Sequence, residues 1–199
     1  TQKGKGYPLA EQDTIGKWHG VSPFNVETGR TLAEASNEIS WSEIISRTLM
    51  DLAQKDKTIA VITPAMAAGS KLLDFAKHFP DRFFDCGIAE EHALTMAAGM
   101  ASGGLKPFVS IYSSFLQRGY DQVSHDIARM NLHVVVGLDR AGLVGDDGET
   151  HQGIYDIAFL RTVPNVIICQ PKDSKEAQDL VYTGLKAKKP FFVRYPRGS

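Results

Sequence analysis

The sequence predicts an α/β protein: a doubly wound, mostly parallel sheet of about six strands, with helices on both faces. Two observations carry that expectation. Short apolar runs recur along the chain with helix-period stretches between them, the order of successive βαβ units. Most of these runs are apolar continuously instead of at alternate positions, as strands covered on both faces require.

Residues 1–39 are rich in Gly, Lys, Thr, Ser and Pro and show no sustained periodicity, so they are expected to form an extended linker or arm, cut from something longer. The organised domain is expected over 40–199. It opens at Ser40-Trp41-Ser42-Glu43, a capping box in which the serine oxygen takes the N–H three residues on and the glutamate reaches back. Trp41, Ile44, Ile45, Leu49 and Leu52 follow at helical spacing. Strands are expected at 58–63, 82–86, 107–112, 132–139, 165–170 and 190–195, with helices near 69–78, 90–102, 115–130 and 173–188. The stretch 93–101 is nearly apolar all round and predicts a fully buried helix, stopped by Gly103-Gly104. Periodicity does not give the strand order.

A chain of 199 residues with 43% hydrophobic content can build one domain-sized core. Its net charge of −1 offers no electrostatic footprint for nucleic acid or a membrane surface. No apolar run nears the roughly 20 residues of a membrane span, and no signal-peptide apolar region is present, so a cytoplasmic location is expected. Cys86 and Cys169 are far apart in apolar strand patterns; they predict two reduced, buried thiols and no metal spacing.

Parallel α/β sheets bind ligands beyond the carboxyl ends of their strands. Glu90 follows the second expected strand and Tyr112 ends the third. Arg140 follows the fourth, with Asp146, Asp147 and His151 in the loop after it, and Arg197 follows the sixth. The singular polar and aromatic residues therefore fall on one edge. Each also has a bland reading. Glu90 and Glu91 suit any helix start, an isolated arginine is most often a surface ion-pair partner, and Phe115 suits a core. His19, His78, His125 and His133 are read as solvated.

The motifs decide between these readings. Ile88-Ala89-Glu90-Glu91-His92-Ala93, followed by Ala97-Ala98-Gly99, resembles the pyrimidine-binding segment of the transketolase-like thiamine diphosphate enzymes. Tyr112-Ser113-Ser114-Phe115-Leu116-Gln117-Arg118, Tyr120-Asp121-Gln122-Val123, Asp139-Arg140-Ala141-Gly142, Thr150-His151-Gln152-Gly153 and Arg194-Tyr195-Pro196-Arg197-Gly198 match in the same order. Lys3-Gly4-Lys5-Gly6-Tyr7 and Trp18-His19-Gly20-Val21 extend the resemblance over essentially the whole chain. It is narrowest to the branch that condenses pyruvate with D-glyceraldehyde 3-phosphate, with decarboxylation, to 1-deoxy-D-xylulose 5-phosphate. The alternatives are another transketolase-like enzyme, one half of a split transketolase, or a non-catalytic cofactor-binding module.

The resemblance implies thiamine diphosphate as cofactor, with Glu90 at the pyrimidine N1′, Phe115 as the ring's platform and Arg118 orienting the pocket. Glu91 falls at a variable position and His92 at the family's histidine. Arg140 and Arg197 are implied to hold the acceptor's phosphate, for which a guanidinium fork is suited. Tyr112, Asp147 and His151 are implied to line the acceptor channel, with His151 and Glu90 as the catalytic pair. It further implies a homodimer, and a separate N-terminal domain before the lead segment. Gly145-Asp146-Asp147-Gly148 echoes the Gly-Asp-Gly signature that binds Mg2+ and diphosphate in these enzymes. That signature needs an Asn roughly 25–30 residues on in the family pattern, and the window 172–177 reads Lys-Asp-Ser-Lys-Glu-Ala. No metal ligand is therefore assigned to this chain; Mg2+ is expected on the N-terminal domain, and the isolated fragment is expected to be inactive.

Overall fold

The computed structural model of the chain describes residues 2, 4–13, 18, 21–32 and 38–199, apart from the side chain of Asp146. Lys3, His19 and Gly20, singled out above, lie outside the described residues, as does the Asp146 side chain. The chain divides into two units, Thr1–Glu38 and Ile39–Ser199. In the first, helix α1 (Pro8–Glu11) has its proline in the first turn, where no N–H partner is lost. Trp18 packs edge-on against Tyr7 and Phe24, at centroid distances of 5.0 and 4.8 Å. The Tyr7 hydroxyl donates to the Val26 carbonyl at 2.9 Å. The described part of this segment is thus gathered on an aromatic cluster and is not simply extended.

In the second unit, α2 (Trp41–Lys55) begins where Ser40 Oγ accepts the Glu43 N–H at 3.3 Å. Glu43 does not reach back to complete the box; it pairs with Arg47 one turn on, at 2.5 Å. Then follow β1 (Ile59–Thr63), α3 (Leu73–His78), β2 (Phe83–Asp85), α4 (Glu90–Ser102), β3 (Lys106–Tyr112), α5 (Ser113–Leu116), α6 (Tyr120–Gln122) and β4 (Val135–Asp139). The unit ends with α7 (Asp156–Leu160), β5 (Ile167–Cys169), α8 (Ser174–Gly184) and β6 (Phe191–Arg194).

The six strands form one sheet in the order β2-β1-β3-β4-β6-β5, and every pairing is parallel. Val61 stands opposite Phe83 and Phe108, and Val135 opposite Phe108 and Phe191, so the central strands are apolar across the sheet. Two cores sandwich it. Ala93, Leu94 and Ala97 of α4 lie with Val109, Val136 and Leu138 on one face. Ile45 and Leu49 of α2, Phe75 of α3 and Val181 of α8 lie with Val61, Phe108 and Val135 on the other. From β1 the chain first moves outward to β2, then returns to β3 on β1's other side. The carboxyl ends of strands flanking such a reversal, here β1 and β3, are where doubly wound sheets generally hold ligands.

Several expectations need correction. Helix α3 starts at Leu73, because Ala65 and Lys71 adopt left-handed backbones (φ 60° and 58°) and spend residues 66–72 on turns. The helix expected at 115–130 begins at Ser113 and is broken: α5, a 3₁₀ turn over Gln117–Gly119, α6, and a wider π turn over Val123–Ala128. Gly119 explains the close docking there, since a Cβ on it would sit 2.1 Å from Leu94 Cδ1. Tyr120 is 38% exposed, its hydroxyl 2.7 Å from Thr162 Oγ1. Helix α4 has the expected bounds, yet Glu91, His92, Thr95 and Gly99 are exposed, so it is buried along one side only. His133 is not solvated; its Nε2 lies 2.8 Å from the Gly184 carbonyl. Both cysteines are free but only half-buried. Burial raises both thiols, that of Cys169 to about 12, so neither is a thiolate at neutral pH. No helix among the described residues is long and apolar enough to cross a membrane.

Candidate functional site

The site begins where β2 hands the chain to α4. Asp85 Oδ1 accepts the N–H groups of Ala65 and Gly87, at 2.8 and 3.0 Å, and so ties the loops after β1 and β2 together. This presents Glu90 as the first residue of α4. Glu90 is 2% exposed, while Glu91 and His92 are exposed. Neighbouring helical residues point about 100° apart, so only one of the two carboxylates can turn inward. The Glu90 carboxylate receives the Arg118 guanidinium, from the turn on the next segment.

From Arg118 a line of contacts runs along the sheet edge. Its guanidinium carbon lies 5.0 Å from the Phe115 ring centroid. Phe115 stacks on Tyr112 at 5.4 Å and 19°, and meets the His151 ring edge-on at 5.3 Å. Tyr112, at the end of β3, lies beneath the Arg140 guanidinium at 4.2 Å. Burial pushes the Tyr112 phenol up to about 12, so it is a neutral hydroxyl. Asp147 lies beyond, 3.6 Å from Arg140 Nε and 3.0 Å from Arg197 Nε. The eight residues Glu90, Tyr112, Phe115, Arg118, Arg140, Asp147, His151 and Arg197, scattered over more than half of the chain, thus form one connected series.

Two polar atoms in this series are buried without a hydrogen-bond partner: Arg140 Nε and Asp147 Oδ2. They face each other across the 3.6 Å gap. A buried donor and a buried acceptor left unsatisfied are costly, and such a pair fits a ligand bearing both an anionic oxygen and a hydroxyl. The loop carrying Asp147 and His151 is held at its stem by a reciprocal backbone pair, Gly142 N–H to Gly153 O at 2.7 Å and Gly153 N–H to Gly142 O at 2.8 Å. A Cβ on Gly153 would lie 2.2 Å from the Arg140 carbonyl oxygen, so glycine is what lets the stem close against β4. Within the loop, Gln152 accepts the Val144 N–H and donates to the Gly148 carbonyl.

Three residues of this edge have no role in the sequence reading. Asp139, the last residue of β4, accepts the Arg140 N–H and Nη1 and the Ser42 hydroxyl. Burial pushes its carboxyl upward, against Arg140 and Ser42. We read it as ionised because all three contacts are donors. Burial also opposes the Arg140 charge, but Asp139, Tyr112 and Asp147 outweigh it and hold that pKa above its ordinary value. Gly69 accepts from Arg140 Nη1 at 3.3 Å and lies so near Tyr112 that a Cβ would be 2.3 Å from the hydroxyl. Ser42 and Gly69 are 98 and 71 residues from Arg140, and no local pattern reveals such partners. A separate cavity of about 520 Å³, lined by Ile157, Arg161, Val166, Cys169, Gln170 and Arg194 among others, lies at the β5 edge and includes none of the eight residues.

This architecture, a doubly wound parallel sheet with a buried carboxylate opening the helix after its edge strand β2, has a match among known proteins. The family described as transketolase, pyrimidine binding domain, matches residues 37–199, and the chain belongs to that family. At higher resemblance stand proteins named 1-deoxy-D-xylulose-5-phosphate synthase. That of Listeria monocytogenes serotype 4b is 59% identical over 199 residues, covering 100% of this chain and 33% of that protein. That of Aquifex aeolicus is 55% identical, again over 100% of this chain and 31% of the relative. The chain therefore spans about a third of the length of the curated relatives it matches. Among solved structures, a split gene transketolase described as an inactive beta4 tetramer superposes with a TM-score of 0.70 at 31% identity, covering 79% of this chain and 52% of that one.

Proposed function

We propose that this chain is the pyrimidine-binding part of a thiamine diphosphate-dependent 1-deoxy-D-xylulose-5-phosphate synthase, which condenses pyruvate with D-glyceraldehyde 3-phosphate. The observation that carries the reading is the unbroken series of contacts from Glu90 to Arg197 along the carboxyl edge of the sheet. Identities of 55–59% to proteins of that name support the particular reaction.

The residues present fit the cofactor's aminopyrimidine. Glu90 offers a carboxyl shielded from water, aimed by Arg118, and able to hold or release a proton at the pyrimidine N1′. Phe115 offers a partly buried aromatic surface beside it. When bound, thiamine diphosphate supplies the thiazolium carbon that attacks the keto acid. Diphosphate and Mg2+ are to be held by residues outside this chain, and a cytoplasmic homodimer completes the proposal.

At the other end of the series the residues fit the acceptor. Arg140 and Arg197 provide two guanidinium groups for a phosphate. The orphaned Asp147 Oδ2 accepts from a hydroxyl. His151, fixed against Phe115 and 2.9 Å from Thr150 Oγ1, stands where it can exchange a proton with the acceptor's carbonyl oxygen. The neutral Tyr112 hydroxyl adds a further donor.

The test is steady-state turnover by the full-length protein. Product is expected from pyruvate with D-glyceraldehyde 3-phosphate, and little from a ketose phosphate donor. The likeness to the split gene transketolase favours the second reading, a transketolase half, and preference for the ketose donor would establish it. The 199-residue chain alone, with thiamine diphosphate and Mg2+, is expected to give no product; measurable turnover would place the whole site within it.

A further inference from the structure

Arg140 is not merely present in the site; it is bolted down from behind. It leaves β4 with a left-handed backbone, φ 56°, which a non-glycine residue adopts only when its surroundings enforce it. Three groups enforce it here. Asp139 Oδ1 accepts the Arg140 N–H at 2.8 Å, and Asp139 Oδ2 takes Nη1 at 2.8 Å. Ser42 Oγ, brought in by α2, donates to the same Oδ2 at 2.7 Å and lies 3.3 Å from Nη1. The Gly69 carbonyl takes Nη1 from the third side at 3.3 Å. Tyr112 closes the flat face of the guanidinium. The anchors on the side chain use Nη1 or the flat face of the guanidinium. The Nε atom is left without a hydrogen bond and faces the Asp147–Arg197 side.

We propose that Asp139 and Ser42 are positioning residues, which aim the Nε side of the Arg140 guanidinium at the acceptor's phosphate without touching the substrate. The proposal rests on the reading of Arg140 as a phosphate ligand. A buried carboxylate behind a phosphate-binding arginine weakens the field at the phosphate, so its benefit has to be geometric. A guanidinium held at one end presents the remaining edge in one orientation, and the entropy of a long side chain is lost before the ligand arrives. Ser42 belongs to this device because its hydroxyl donates to the same Oδ2 that takes Nη1 and itself accepts from Nη1, so it ties the carboxylate and the guanidinium to α2.

The experiment uses the full-length protein and compares kcat/KM for D-glyceraldehyde 3-phosphate with that for unphosphorylated D-glyceraldehyde. Their ratio reads the phosphate contact alone. Ser42→Ala is expected to lower the ratio about 2- to 12-fold, and Asp139→Asn about 10- to 100-fold, while the pyruvate KM stays within about twofold. In an Arg140→Ala background neither substitution should change the ratio further. A purely structural role would lower activity with both aldehydes and leave the ratio intact, which overturns the proposal. Ser42→Ala removes a single oxygen and leaves the Asp139–Arg140 ion pair in place, so the test survives should Asp139→Asn not fold. If Arg140→Ala itself leaves the ratio unchanged, the phosphate reading fails. If Arg140→Ala lowers the ratio while Ser42→Ala and Asp139→Asn do not, only the positioning role fails.

Discussion

Strands β4 and β6 lie side by side, and each carries, at or just beyond its carboxyl end, an arginine paired with a buried aspartate. Arg194, the last residue of β6, donates Nε and Nη2 to the two oxygens of Asp156 at 2.7 and 3.1 Å, and Nη1 to Gln170. Its guanidinium is spent on the protein, and Arg194 and Asp156 are 7% and 1% exposed. Arg140, one residue beyond β4, has Asp139 behind it but keeps a buried Nε without a hydrogen bond, 3.6 Å from Asp147 Oδ2. The two pairs have the same composition and opposite purposes. A saturated fork closes a structure, whereas a fork anchored at one nitrogen is, on the function proposed for this edge, posed for a ligand. Burial and pairing alone do not separate these cases; the nitrogen without a hydrogen bond does.

That contrast can be broken in several ways. The largest effect should come from the far end of the series. Glu90→Ala is expected to cut turnover of the full-length protein by about 100- to 10,000-fold, and Glu91→Gln to leave it nearly unchanged. Equal losses would mean that burial does not distinguish the two carboxylates. Arg194→Met strands Asp156 in the interior and should destabilise the domain by about 3–5 kcal/mol. For a domain of this size that lowers Tm by roughly 6–20 °C, read by thermal unfolding. If Arg194→Met leaves Tm unchanged but impairs a substrate, the two pairs have been assigned the wrong way round. Arg140→Ala and Arg197→Ala should each weaken use of D-glyceraldehyde 3-phosphate about 10- to 150-fold, with a smaller change for pyruvate, since only the acceptor carries phosphate.

The smallest effect belongs to a third pair at the opposite end of the strands. Lys106 Nζ sits 2.6 Å from Asp56 Oδ2, with both side chains about a quarter to a third exposed. Lys106 first, then Thr58, holds the Asp56 carboxyl well below the usual carboxylate range. A carboxyl depressed in the folded state stabilises above its unfolded pKa of about 3.9 and loses that contribution as pH falls further. Asp56→Asn should therefore lower Tm by only about 1–3 °C at pH 7, because solvent screens the pair. The gap should narrow steadily below pH 4. A gap that widens on acidification would contradict the sign.

Where local chemistry decides, the sequence was enough. Ser40 caps α2, Gly103-Gly104 ends α4, and continuous apolar runs such as 107–112 become strands buried on both faces. The gathering of Glu90, Tyr112, Arg140, Asp147, His151 and Arg197 on one edge followed from the parallel order alone. What stayed hidden depends on partners far away in the chain. The break in the 113–128 segment reflects Gly119 meeting Leu94, and the support of Arg140 comes from Ser42 and Gly69. Helix α7 is five residues long, too short for periodicity to register. Asp139 was legible as a residue before an arginine, but its orientation toward Ser42 is a product of packing α2 against the sheet.

The most direct measurement is hydrogen–deuterium exchange at the thiazolium C2 of bound thiamine diphosphate in the full-length protein, without either substrate. That step precedes all substrate chemistry and depends on the carboxyl at the pyrimidine. Exchange should slow by about 100-fold or more in Glu90→Ala and remain at the parent rate in Glu91→Gln. Slowed exchange in Glu91→Gln with an unchanged rate in Glu90→Ala would contradict the assignment of the buried carboxylate, and with it the site built outward from Glu90.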